Sequence, residues 1–196
     1  MTDYTSPELV AVRAKLGIKN IHETPVVKKV TVSCGVGKQR DDKQFLESVR
    51  RDLAVITGQA PQERRARMAI AGFNVRENNI VGYKITLRGK RADDFVRRFV
   101  RTTLPRVRDF RGVPLTSIDA AGNLSVGITE QLAFPEIHPE KTDVTFGVEA
   151  TFTTTAKNRE EAEVLFRELG FPLTQAVVAA DQLGVDIRQG KKEVKS

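Results

Sequence analysis

Residues 144–155 constrain the fold most. The run VTFGVEATFTTT alternates, with Val144, Phe146, Val148, Ala150 and Phe152 on one side and Thr145, Glu149, Thr151 and Thr153 on the other. A period of two marks a β-strand with one buried and one solvated face. Such a strand belongs to a sheet that is apolar on one side only, and that side needs a cover. Two other stretches carry a strand pattern. Residues 26–34, VVKKVTVSC, follow Pro25 and are rich in β-branched side chains. Ile80 to Arg88 places Val81, Tyr83, Ile85 and Leu87 on one face and Lys84, Thr86 and Arg88 on the other. Leu124, Val126 and Ile128 open a fourth strand, expected over 124–133.

The cover comes from helices. Ser6-Pro7-Glu8 reads as a helix start, followed by Leu9, Val10, Val12 and Leu16 and stopped by Gly17. Asp41 or Asp42 caps a second helix, with Phe45, Leu46, Val49, Leu53 and Ile56 on one face and Gly58 as its stop. A third begins at Ala92, turns Phe95, Val96, Phe99 and Val100 inward and Arg97, Arg98 and Arg101 outward, and closes at Pro105. Asn158 with Glu161 resembles a capping box for a fourth, which buries Leu165, Phe166 and Leu169 and ends at Gly170. Residues 62–69 read as an extended, edge-like segment. Stretches 71–79 and 112–123 are loops, and 134–143 is an exposed, proline-bearing loop. A short apolar helix is expected over 173–183, and the tail from Arg188 is expected to be disordered. The assembly is an α+β fold: a largely antiparallel sheet, helices packed on one face, the other face partly open. A chain of 196 residues fits one domain, placed at 1–172, with 173–196 as an extension.

Charge is unevenly spread along this pattern. From Glu63 to Arg111 stand fourteen Lys or Arg and five acids, a local net of +9 against +7 for the whole chain, so the remainder is net −2. All the excess positive charge lies in about a quarter of the sequence. A single-sign field of this kind attracts a polyanion, either nucleic acid or an anionic membrane. Cys34 is the only cysteine, so no internal disulfide forms. No apolar run approaches the ~20 residues that span a bilayer, and MTDYTSPELV lacks a signal-peptide pattern. The expectation is a soluble, cytoplasmic protein.

Catalytic and metal chemistry find little support. Gly35-Val36-Gly37-Lys38 suggests a phosphate loop, but the required first glycine is Val32, and Gln39 replaces the magnesium-binding Ser or Thr. His22 and His138 have no metal-ligand spacing to Cys34. Cys34, ending a strand, reads as a buried small side chain. Asp41-Asp42 and Asp93-Asp94 sit at helix starts, where they complement the helix dipole. Phe95, Phe99, Phe146 and Phe152 fall at core periodicity, whereas Phe73 and Phe110 are candidates for stacking or partner contact. No catalytic residue, metal or cofactor is expected. The rival readings are a phosphate-handling enzyme, motivated by GVGK, and a basic module that binds proteins or membrane.

Several strings together resemble one family: Cys34-Gly35-Val36-Gly37, Ile56-Thr57-Gly58-Gln59, Arg65-Ala66-Arg67, Ala71-Gly72-Phe73, Thr86-Leu87-Arg88-Gly89, Leu104 to Gly112 (LPRVRDFRG), Phe134-Pro135-Glu136-Ile137 and Thr153-Thr154-Thr155-Ala156. In this order they resemble the large-subunit ribosomal protein L5 family over roughly Leu9 to Pro172. The resemblance implies a non-enzymatic protein of the central protuberance, in the ribosome, that binds 5S rRNA and anchors it to large-subunit rRNA. It further implies contact with P-site tRNA, with a small-subunit head protein and with other central-protuberance proteins, and none with membrane. Carried over by position, the rRNA-binding surface includes Ser33, Gln59, Arg65, Arg67, Thr86 and Arg88, extended by the neighbouring Arg64, Lys84, Lys90 and Arg91. The tRNA-contact loop is Gly72, Phe73, Asn74, Val75, Arg76, Glu77, Asn78 and Asn79, with Arg76 foremost. The inter-subunit bridge uses Arg111, Gly112, Ile137, His138, Glu140 and Lys141. Two positions depart from the family pattern: Ser33 stands where Asn is usual, and Met68 where Lys is common. Residues 174–196 extend past the usual end.

Overall fold

The computed structural model describes residues 6–37, 39–142 and 144–174, and of Lys141 the backbone only. The strands are β1 (Val27–Gly35), β2 (Gln62–Arg65), β3 (Ile80–Leu87), β4 (Val113–Pro114), β5 (Leu124–Ile128), β6 (Val148–Thr154) and β7 (Leu173–Thr174). The helices are α1 (Pro7–Leu16), α2 (Lys43–Thr57), α3 (Lys90–Arg98), the single turn α4 (Leu104–Arg106) and α5 (Arg159–Glu168). Five strands form one sheet in the order β2-β3-β1-β6-β5, every neighbouring pair antiparallel. The α+β expectation therefore holds, as does the edge-strand reading for 62–65.

Alternation sorts the two sheet faces. Val30, Val32 and Cys34 of β1, Tyr83, Ile85 and Leu87 of β3, Leu124, Val126 and Ile128 of β5, and Val148, Ala150 and Phe152 of β6 are all buried. They join one core with Phe45, Val49, Leu53 and Ile56 of α2, Phe95 and Val96 of α3, and Phe166 of α5. Six phenylalanines pack at its centre; Phe152 lies 5.2 Å from Phe99 and 5.1 Å from Phe171 between ring centroids. Such offset and edge-on pairs add to the hydrophobic stabilisation that burial of each ring supplies. A smaller cluster of Leu9, Val12, Val26 and Leu165 seats α1 on α5.

Helix ends follow their chemistry. The Asp42 carboxylate accepts from Gln44 N–H and Phe45 N–H, and Gly58 closes α2 at φ 66°. The Asn158 side chain accepts from Glu161 N–H, while the Glu161 carboxylate accepts from Lys157 N–H, a shifted capping box. Ser6 takes the N-cap position of α1 without a side-chain cap bond.

Several expectations need correction. Val10 points out of α1 and is 46% exposed. The third helix starts at Lys90, ahead of Ala92, and does not close at Pro105. It widens into a π turn, Phe99–Thr103, before α4, which contains Pro105. Proline has no N–H and its ring collides with the carbonyl four residues back; a wider turn just upstream eases that collision. Strand β5 stops at Ile128 because the chain turns at Gln131–Ala133. Strand β6 begins at Val148, so 144–147 lie outside the ladder. Loop 134–143 is only partly exposed, since Phe134 and Ile137 are buried. The 112–123 loop contains β4, which pairs in parallel with β7, so Leu173 and Thr174 are strand rather than helix. The rest of the expected 173–183 helix and the tail from Arg188 lie outside the described residues.

Candidate nucleic-acid interface

The sheet face opposite the core is polar from edge to edge. Register sets its rows. One row runs Ser125, Thr151, Thr31, Thr86. The next runs Gly127, Glu149, Ser33, Lys84, Gln62. A third runs Gly35, Gly82, Arg64. Four side chains predicted to bind RNA, Ser33, Arg64, Lys84 and Thr86, thus occupy one surface, built by three strands from distant parts of the chain. Ser33, Lys84 and Thr86 are half-buried by their neighbours, while Arg64 on the edge strand is exposed. At Gly82 a Cβ would meet the Cys34 carbonyl oxygen at 2.8 Å, so only glycine lets β1 and β3 stay in register here.

Hydroxyls on this face already bond one another. Ser125 and Thr151 hydroxyls are 3.1 Å apart. The Ser33 hydroxyl donates to the Glu149 carboxylate at 3.3 Å. Its single donor is therefore engaged, leaving acceptor capacity only. Glu149 puts a negative charge in the middle of the face. Alternation along 144–155 assigns its side of the strand, but no sequence pattern reveals its distance from Ser33.

The remaining predicted contacts lie outside these rows. Arg65 is opposite Ile80 past a register shift in β2, and its guanidinium is 2.9 Å from the Glu63 carboxylate. Arg67, Arg88, Lys90 and Arg91 are exposed. Lys90 and Arg91 open α3, where the helix dipole disfavours cations; their presence there is not explained by helix stability. Gln59 follows α2, half-buried, its backbone bonded to the Thr57 hydroxyl. Cys34 lies under the face with its thiol pushed up to about 11 by burial, which suits an inert core side chain. Among the described residues no group of three His, Cys, Asp or Glu could hold a metal ion, and no helix is long and apolar enough to cross a membrane.

Residues 66–79 are a hairpin arm and not a slack loop. Asn78 N–H and Ala66 N–H pair with the Ala66 and Asn79 carbonyls, and Ile70 and Val75 exchange two backbone bonds. The tip, Ala71–Phe73, is one 3-10 turn, followed by Asn74 at φ 51°, a left-handed conformation that asparagine tolerates. Gly72, Phe73, Asn74, Arg76, Glu77 and Asn78 are exposed, and Val75 and Asn79 half-buried. Phe73 is 74% and Met68 72% exposed, so the arm presents apolar side chains to water. Phe110, the other aromatic candidate, packs against the core. Arg40, which the sequence did not single out, reaches across from the β1–α2 turn to the arm tip and bonds the Phe73 and Asn74 carbonyls.

The predicted bridge residues rest on different supports. Arg111 is exposed, and Gly112, at φ 95°, lies against Pro172 and Thr174. His138 and Glu140 are exposed on a loop held to the helical layer by the Arg98–Glu136 ion pair and by Thr142, whose hydroxyl is 3.5 Å from Asp52. Ile137 is 5% exposed and belongs to the core, so its side chain is not available at the surface.

Comparison with known proteins agrees over most of the chain. A family model described as ribosomal protein L5 matches residues 20–76, and a second, describing the C-terminus of the same ribosomal family, matches 80–173. The chain is 42% identical over 173 residues to the large ribosomal subunit protein uL5 of Francisella tularensis subsp. novicida, covering 88% of this chain and 97% of that one. To the uL5 of Microcystis aeruginosa it is 44% identical over 171 residues, covering 87% and 96%.

Proposed function

The chain belongs to the ribosomal protein L5 family, and from that premise we propose that its uncovered sheet face and basic surround hold 5S rRNA and attach it to the large-subunit rRNA. Members are structural, non-enzymatic proteins of the large ribosomal subunit, so the chain works as an RNA-binding component of the cytoplasmic ribosome. The observation that carries the finer reading is the polar face itself: three antiparallel strands bring Ser33, Lys84, Thr86 and Arg64 together with no core residue among them. Hydroxyls and cations spaced on a sheet suit RNA sugars and phosphates. Arginine and lysine neutralise phosphates and release counterions; the hydroxyls add contacts that depend on shape. In the same proposal the arm tip, with Arg76, touches P-site tRNA, and the surface around Arg111, Gly112, His138 and Glu140 meets a small-subunit head protein.

Filter binding against 5S rRNA, with unrelated RNA as competitor, tests this. With about six phosphates engaged, log affinity falls against log salt with a slope of roughly −4 to −5. The double change Arg67→Ala and Arg88→Ala lowers that slope by about 2 and weakens binding, while the melting temperature stays close to that of the parent. A flat salt dependence, or an equal loss of stability in the double variant, rejects the assignment.

A further inference from the structure

Arg40 has no part in the face described above. It sits in a surface turn between β1 and α2, yet its side chain is only 13% exposed. One terminal nitrogen donates to the Gly37 carbonyl at 2.9 Å and to the Phe73 carbonyl at 3.4 Å; the other donates to the Asn74 carbonyl at 2.5 Å. All three acceptors are main-chain oxygens, and two belong to the arm tip. The adjacent Asp41 carboxylate is 3.9 Å from Nε and is itself 91% exposed, so carbonyls and not the acid are the close partners.

Backbone pairs of Ala66 with Asn78 and Asn79 hold the base of the arm, but little else ties its tip to the body among the described residues. Ile70 and Val75 bond each other, but Met68, Ile70 and Phe73 are exposed large apolar side chains. A groove of about 910 Å³ lies between tip and body, lined by Val36, Phe45, Phe73, Val75 and Phe146 among others. The tip is therefore not packed down on the core. A segment with few buried contacts opens cheaply and samples many positions. A guanidinium is a planar fork with fixed donor directions, so it sets position and angle together, which a single ammonium does not. A charged donor to a carbonyl is also stronger than a neutral one.

We propose that Arg40 is a positioning residue: it locks the 66–79 hairpin arm to the β1–α2 turn and so presents the tip at one angle to whatever the arm touches. For a tRNA elbow as the target, this rests on the reading given under Proposed function. The lock removes the entropy that a loose arm loses on contact.

Amide hydrogen exchange on the full chain tests the lock directly. Arg40→Ala speeds exchange at the Ile70 and Val75 amides roughly tenfold to a hundredfold, the worth of a charged hydrogen bond, and leaves Val32 and Ile85 unchanged. Arg40→Lys, which keeps the charge without the fork, falls between the two. Should the alanine variant not fold, Arg40→Gln reads the same amides. Unchanged arm amides, an equal rise in the core strands, or full protection with lysine overturns the proposal. Arg76→Ala separates it from the tRNA reading: that variant leaves the arm amides protected. If Arg40→Ala loosens the arm but neither variant alters tRNA positioning on the ribosome, the tRNA reading fails and the lock stands.

Discussion

Gln131 has no exposed surface, and its amide nitrogen and oxygen each make a hydrogen bond. It donates to the Val144 carbonyl at 2.5 Å and accepts from Phe146 N–H at 2.9 Å. One side chain thus does for residues 144–146 what a neighbouring strand would do. Gln131→Leu keeps the volume but strands a buried N–H and a half-buried C=O, so unfolding free energy falls by about 2–4 kcal/mol, read from the urea midpoint. The pattern of residues 124–133 could not reveal this. Alternation reports which side a residue takes, and a glutamine in phase looks like any polar strand residue. Cys34 was legible, because a small apolar position ending an alternating strand is a core position. Its thiol is pushed up to about 11 by burial, so at pH 8 only about one molecule in a thousand carries the thiolate. Ellman's reagent should react slowly with the native protein and fully once it is denatured. The sign of the linkage follows. The folded chain holds this proton longer than the unfolded chain, so stability is intact below the ordinary thiol value and declines as pH rises toward 11. Cys34→Ala removes that share of the decline.

At the scale of elements, each strand with clean alternation was found, and the missed features depend on partners far along the chain. The π turn ahead of Pro105 is one. A proline in a helical pattern reads as a stop, and only the wider turn lets the helix run on to Arg106. The β4–β7 pair is another: two residues each, joined in parallel, with no period to read. Gly112 is its hinge. A Cβ there would sit 2.5 Å from the Thr174 methyl and 2.9 Å from the Pro172 carbonyl, at φ 95°. The Pro172 carbonyl accepts from Val113 N–H, so it cannot move aside without loosening the pair. Gly112→Ala therefore costs about 1–3 kcal/mol and lowers the melting temperature by several degrees. Gly72→Ala is the control, since nothing lies within 4 Å of its added methyl and its φ is ordinary; its melting temperature should match the parent. Equal effects at the two sites would mean that backbone entropy, and not the β4–β7 contact, sets the cost.

Across the whole molecule, the basic quarter of the sequence does not form one face. Of its fourteen cations thirteen are exposed and Lys84 is half-buried, so none is lost in the core. Among the described residues, three of them, Arg65, Arg98 and Arg108, have acidic partners. The stretch passes from the edge strand through the arm and a central strand into α3, which packs on the opposite, apolar side of the sheet through Phe95 and Val96. Arg97 and Arg101 are consequently exposed on the helical layer, where they border a groove with Glu8, Leu9 and Leu165. Net charge, which can be read from the sequence, cannot distinguish these two sides; the fold can. A charge-matched pair of variants makes the distinction measurable. Arg67→Ala with Arg88→Ala and Arg97→Ala with Arg101→Ala each remove two exposed cations. If affinity for 5S rRNA came from the overall field, both would weaken binding alike and flatten the salt slope alike. If the RNA sits on the polar face, the first pair loses roughly tenfold or more at moderate salt, and the second stays within about twofold, because α3 packs on the other side of the sheet and salt screens charges over a Debye length of ~10 Å. Equal losses would place the RNA on no particular face and remove the argument for a sheet platform.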